Sequence, residues 1–195
     1  MSKKIASVPY EKNESFDFYE DKMIFDSKEI KYNILEGYGY LLTNGSTNIY
    51  GIPASNSTSF DIRFSVGGNK TIEFSKSTTS AMLFKGEKHD VVGLIYIELV
   101  KCIEAIIAPY IYQKLWDKLL SGNEIMIGGL TISIDSIRKK SFWGEKEMVQ
   151  YGQTIIGGGF VTVKDANGKI FHSSSLCNIN APLLKPILDN IFLPD

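Results

Sequence analysis

Residues 130–153 read LTISIDSIRKKSFWGEKEMVQYGQ, and this stretch decides the fold class. Apolar and polar residues alternate through Leu130, Ile132 and Ile134, the period of a strand with one buried face. Asp135-Ser136 breaks the run as a polar turn. Ile137-Arg138-Lys139-Lys140 resumes it, Ser141-Phe142-Trp143-Gly144 turns it, and residues 145–149 lead it back. Strand, turn, strand, turn and return strand predict an antiparallel meander.

Outward from that stretch the same grammar continues. Ile125-Met126-Ile127 precedes it as a short strand. Gly157-Gly158-Gly159 leads into Phe160-Val161-Thr162-Val163. A phosphate-binding loop would lead into a helix instead, so these glycines read as a hairpin or bulge. Asp165-Ala166-Asn167-Gly168 is the strongest hairpin turn of the chain, with Lys169-Ile170-Phe171 returning from it. Asn180 is the expected cap of a closing helix that opens with Ala181-Pro182, and Pro186 shortens or bends it. Leu183, Leu184, Ile187, Leu188 and Ile191 form its apolar face.

Toward the N-terminus, residues 90–120 switch to a helical period. Asp90, Glu98, Lys101 and Glu104 make a narrow polar stripe, so the helix is expected to be covered on most sides. Glu98, Lys101 and Glu104, in the middle of the apolar stretch 91–112, also weigh against a membrane span, since each costs roughly 2.5–3.5 kcal/mol at a bilayer centre. Pro109 is expected to kink or divide the helix, and Gly122 to cap its end. Earlier still, Phe60-Asp61-Ile62-Arg63-Phe64 and Thr71-Ile72-Glu73-Phe74 alternate about Gly67-Gly68-Asn69, a hairpin. Residues 16–25, Ile30-Lys31-Tyr32 and Tyr38-Gly39-Tyr40-Leu41-Leu42 read as further strands. Residues 43–59 are dominated by Thr, Asn, Gly and Ser and read as a loop, broken at most by a strand at Ile49-Tyr50. Residues 1–15 read as a loose terminus.

Strands with hairpins followed by a helix thus occur twice. Met23-Ile24-Phe25-Asp26-Ser27 parallels Ile132-Ser133-Ile134-Asp135-Ser136, and Asn69-Lys70-Thr71-Ile72 parallels Asn167-Gly168-Lys169-Ile170, which suggests duplication. The expected organisation is a flexible segment 1–15, a first half 16–121 and a second half 122–195. The run 130–153 resembles the opening of a bacterial pleckstrin-homology-like domain, and the closing helix extends the resemblance to residues 130–193. The resemblance implies an α+β fold of tandem antiparallel sheets, partly open barrels, each followed by a helix. It also implies a binding scaffold rather than a reaction.

The 195 residues carry a formal charge of −1, with 44% hydrophobic and 22% charged residues. That composition fits a globular chain and argues against a dedicated nucleic-acid binder. Two cysteines, Cys102 and Cys177, and no apolar leader point to the cytoplasm. His89 and His172 are too few for a metal site, so no metal and no cofactor are expected. Cys102 and His89 lie too far apart along one helix to act as nucleophile and base. Phe142 and Trp143 at a turn are either an interface anchor or fold back onto the core. Together with residues 43–59 they are the candidate contacts for a protein partner, the leading function. The alternative is an anionic membrane surface met by Arg138, Lys139, Lys140 and Lys146. The resemblance implies that these lie near a lipid headgroup, because such domains often bind headgroups between their first two strands. An enzyme of unknown type is the third reading.

Overall fold

The computed structural model describes residues 2–11, 14–49, 52–67, 70–81 and 88–193. The chain is α+β; its described residues form four antiparallel sheets, none of them closed into a barrel. It divides into two compact units: Met1–Glu36 with Tyr40–Pro109, and Gly37–Gly39 with Tyr110–Asp195.

The first unit opens with strands β1 (Lys4–Glu11), β2 (Glu14–Tyr19), β3 (Lys22–Phe25) and β4 (Lys28–Lys31), paired in that order. Within the segment 1–15, expected to be loose, Lys4–Glu11 instead form the edge strand β1 and Glu14 opens β2. Only Val8 of β1 is buried, and apolar residues such as Ile5 stand on its exposed face, so its period of two is faint in the sequence. Pro9 is tolerated because an edge strand has one unpaired side. The β3–β4 hairpin closes through Asp26 and Ser27, both at positive φ (46° and 60°). Two such residues make the turn whose twist matches the strands it joins.

A single 3₁₀ turn, Tyr32–Ile34, leads to β5 (Leu35–Ile49), β6 (Ile52–Val66) and β7 (Lys70–Ala81), the second sheet. Residues 43–59 are therefore mostly long strand, which corrects the loop reading; Tyr50 and Gly51 lie outside the described residues. The pairing of β6 with β7 runs without a break from Ser55↔Ala81 to Val66↔Lys70. A ladder is held by backbone groups, so Ser and Thr can extend it once apolar residues fix its register. Here Phe60, Ile62, Phe64 and Val66 fix it, all buried on one face. The core between the sheets is aromatic. Phe16 stacks on Phe25 at 4.1 Å and meets Phe74 (5.0 Å) and Tyr10 (5.4 Å) edge-on. Such pairs each contribute about 0.5–1.5 kcal/mol beyond their burial.

Helix α1 (Lys88–Cys102) follows, then a π turn at Ile103–Ile107 and helix α2 (Ala108–Leu120). The expected effect of Pro109 takes the form of that wide turn, in which the Ala108 N–H donates to the Ile103 carbonyl. In a regular helix the proline ring would crowd the carbonyl four residues back, at Ala105, and a wider turn relieves this. Val92, Leu99, Ile103 and Ile107 are buried, but Val91, Leu94 and Ile97 are exposed. The helix is therefore not covered on most sides, as its narrow polar stripe had predicted. The stripe counted charges, and exposure on this helix does not follow charge.

In the second unit, α2 buries Ile111, Leu115 and Leu119, one stripe at four-residue spacing. Gly122, at φ 76°, ends the helix as expected: its N–H donates to Leu119 and that of Asn123 to Lys118. These two bonds satisfy two of the carbonyls left free at the helix end. Strands β8 (Ile125–Ile127), β9 (Leu130–Ile132), β10 (Ile137–Ser141) and β11 (Gly144–Glu147) form one sheet in chain order. Strands β12 (Tyr151–Gly157), β13 (Phe160–Asp165) and β14 (Ile170–Ser175) form the other. The three glycines make the β12–β13 turn, with Gly158 and Gly159 at positive φ. Asp165 closes the β13–β14 turn by accepting the N–H groups of Asn167 and Lys169.

A 3₁₀ turn, Ala181–Leu183, and helix α3 (Leu184–Phe192) end the unit. Asn180 precedes them in the left-handed conformation and does not cap them with its side chain. Its Oδ1 instead accepts the Tyr38 N–H at 3.2 Å, and its own N–H donates to the Tyr38 carbonyl at 2.6 Å. Gly39 lies so close to Cys177 that an added Cβ would stand 2.5 Å from its carbonyl oxygen. Pro186 falls in the first turn of α3, where no intrahelical bond needs its missing N–H.

Both units therefore run four-stranded sheet, three-stranded sheet, helix. The repeat holds in architecture, but one of the two sequence parallels is out of step. Asp26-Ser27 joins β3 to β4, whereas Asp135-Ser136 joins β9 to β10, one hairpin earlier in its own sheet. The structural counterpart of Asp26-Ser27 is Phe142-Trp143. The second parallel falls at the start of equivalent strands, β7 and β14, although β7 begins at Lys70 and β14 two aligned positions later, at Ile170.

Candidate functional site

The β10–β11 hairpin carries Arg138, Lys139, Lys140, Phe142, Trp143 and Lys146; residues 43–49 and 52–59, the other candidate contact, lie on β5 and β6 in the first unit. Ser141 pairs with Gly144, so Phe142 and Trp143 form the turn between them, and Gly144 closes it at φ 113°. Only glycine adopts that φ without strain. Phe142 is 92% exposed and Trp143 88%. Their rings meet each other edge to face at 5.0 Å. Of the two expectations, projection from the fold is the one realised.

The four basic residues do not converge. Directly opposed residues of an antiparallel pair share a face. The pairs are Arg138↔Glu147, Lys139↔Lys146 and Lys140↔Glu145. Arg138 and Lys140 thus share one face with two glutamates, and Lys139 and Lys146 occupy the other. Arg138 is neutralised by Glu124 and by Glu145, the latter at 3.0 Å. Lys139 donates to the Phe171 carbonyl, with its ammonium 4.6 Å from the centre of the Phe171 ring. Lys140 and Lys146 have no ion pair among the described residues. The hairpin also joins the third and fourth strands of its sheet, because β8 precedes the strand that the sequence resemblance takes as the first. The loop between the first two strands is Gly128-Gly129, which carries no charge. The Glu124 partner stands fourteen residues before Arg138 and left no local signal in the sequence.

Below the hairpin, a cleft of about 340 Å³ is lined by Asp135, Ile137, Met148, Gln150, Tyr151 and Phe192 among others. Tyr151 hydrogen-bonds Thr154 at 2.8 Å and donates to Asp189, which also pairs with Lys185. Burial, and then the Asp189 carboxylate, push the Tyr151 phenol well above its ordinary range. It therefore holds its proton at neutral pH and is no base there. Tyr151 and Asp189 lie 38 residues apart in sequence without a motif, so no local pattern marks this cluster.

The remaining candidates are separate. His172 donates its Nε2–H to the Gly128 carbonyl at 2.7 Å. Cys102 and Cys177 are free thiols. Burial, then Glu98, raise the Cys102 thiol, which disfavours the nucleophilic thiolate. The side chain of His89 lies outside the described residues. Among the described residues no three His, Cys, Asp or Glu side chains group as metal ligands, and no helix is long and apolar enough to cross a membrane. Comparison with protein-family models, with curated proteins and with solved structures finds no match to this chain.

Proposed function

We propose that the chain is a non-enzymatic binding and scaffold module that engages its partner through the β10–β11 tip, Phe142 and Trp143. The observation that carries this reading is the near-complete exposure of both adjacent aromatic rings. Folding does not call for them there. The equivalent turn of the first unit closes with Asp26 and Ser27, both polar. Exposed aromatics at a protruding tip are the kind of side chain that anchors an interface. The succession of two sheets and a helix in each unit supports reading both as pleckstrin-homology-like, a fold that serves as a binding scaffold. Free thiols at Cys102 and Cys177 support a cytoplasmic setting.

The test compares the wild type with the double variant F142S/W143S in native lysate, and follows the protein into both soluble complexes and the membrane fraction. The wild type is expected to co-fractionate with a partner and the variant to run alone, with unchanged thermal stability. Identical behaviour of two equally stable proteins would overturn the proposal.

A further inference from the structure

Apart from the tip, we propose that the second unit carries a docking groove at Met148-Val149-Gln150, where its two sheets meet, for an extended peptide segment with a basic side chain two residues from an apolar one. The groove is independent of the tip reading. It emerges from a comparison of the two units. In each, a short junction leads from the four-stranded sheet to the three-stranded one. The junctions are anchored alike. Tyr32 donates its N–H to the Asp21 carbonyl as Met148 does to that of Ile137, and the Ile34 carbonyl accepts from Gly67 as that of Gln150 does from Ala166. Between these anchors they differ. The first closes into a 3₁₀ turn, with the Leu35 N–H donating to the Tyr32 carbonyl. The second bends without closing. Val149 there is fully exposed, and neither its N–H nor its carbonyl makes a backbone hydrogen bond among the described residues. The strands it joins, β11 and β12, are both sheet edges. A free donor and acceptor beside such edges is where an extended chain can add main-chain hydrogen bonds.

The open junction is the shared wall of two clefts, the one of about 340 Å³ below the hairpin and a neighbour of about 290 Å³. Whole ligands occupy pockets of about 300–1,000 Å³, so each cleft suits one side chain better than a cofactor. In an extended chain, alternate residues point the same way about 6–7 Å apart, the length of the junction itself, so one strand can fill both. The first cleft is mainly apolar, with Ile137, Met148 and Phe192 beside Asp135. The second sets Glu147 and Asp165 against Phe171. Charge then selects the occupant. Three carboxylates and no basic side chain line the two clefts among the described residues. Asp165 also accepts the N–H groups of its own turn, but Asp135 and Glu147 have no ion pair among the described residues. Glu147 stands opposite Arg138, whose guanidinium goes to Glu124 and Glu145 instead. Lys139 is held on Phe171 and Lys185 on Asp189, while Lys146, Lys164 and Lys169 line neither cleft. The groove is therefore negative, and a Lys or Arg of the incoming segment complements Glu147 while its apolar neighbour enters the first cleft.

The experiment is an array of short peptides built on Ser and Thr, with every residue type tried at two positions two residues apart. It is probed with the labelled intact protein, and the best binder is followed by fluorescence anisotropy. The retained peptides should pair Arg or Lys at one position with Leu, Ile, Val or Phe at the other. E147Q should weaken binding about fivefold, the upper worth of an exposed ion pair. E147K should abolish it, and a peptide with Glu in place of its basic residue should then bind again. V149R, folded by circular dichroism, should block the groove. F142S/W143S should bind the peptide as the wild type does. Retention of no peptide, equal retention of acidic and basic peptides, or binding indifferent to E147K and V149R would each overturn the inference. Loss of binding with F142S/W143S would also overturn it, because the peptide would then sit at the tip. The tip reading is judged separately, by whether a partner in lysate is lost with F142S/W143S.

Discussion

Gly39→Ala is the sharpest test of how the second unit is closed. The Cβ introduced would stand 2.5 Å from the Cys177 carbonyl oxygen, 2.8 Å from its carbon and 2.9 Å from the Asn178 oxygen. Non-bonded carbon contacts settle at about 3.5–4.0 Å, so the two segments must part by about 1 Å. All three atoms are backbone, which cannot swing aside as a side chain could. Overpacking of this kind costs about 1–3 kcal/mol. The parting also strains the two hydrogen bonds between Tyr38 and Asn180, each worth about 0.5–1.5 kcal/mol. The expected loss is therefore about 2–6 kcal/mol in total. Gly157→Ala is the control, because an added Cβ there meets nothing within 4 Å. It should leave stability unchanged or slightly raised. Urea unfolding followed by Trp116 fluorescence and far-ultraviolet circular dichroism reads both. Equal midpoints for the two variants would refute the close approach of Gly39 to residues 177–178.

Two other perturbations test the packing and the titration of the buried rings. Phe16→Ala removes a fully buried ring that meets Phe25, Phe74 and Tyr10, and should cost about 3–5 kcal/mol, read as a lowered urea midpoint by circular dichroism. Burial raises the phenols of Tyr32, Tyr40 and Tyr151, with Glu104 adding to Tyr40 and Asp189 to Tyr151. In the unfolded chain such phenols lose their protons near pH 10, about where an unperturbed tyrosine titrates. Stability from these groups is thus fully present below that pH and lost as pH rises toward their folded values. The loss is about 1.4 kcal/mol per pH unit for each tyrosine. Tyrosinate absorbance should show these three ionising only as the protein unfolds, and Tyr40→Phe should flatten the alkaline limb. Smooth titration of all tyrosines ahead of unfolding would contradict the burial.

Local chemistry made much of this fold legible. Alternation at residues 60–74 and 160–171 named strands, and Asp165, Gly158 and Gly122 named the turns and the cap, because each acts on neighbours a few residues away. Pro109 likewise announced a disturbed helix. Residues 4–11 and 43–59 escape the pattern for one reason: neither run alternates apolar with polar residues. Their place as strands comes from backbone pairing with β2 for the first run and among β5, β6 and β7 for the second, which no local window contains. The candidate site divides the same way. That Phe142 and Trp143 sit in a turn follows from the sequence, because the strands on either side set it. That they project instead of folding back was decided by tertiary structure. So was the loss of Arg138 and Lys139 from the basic cluster: a strand sends alternate residues to opposite faces, and Glu124 and Phe171 reach them from other elements.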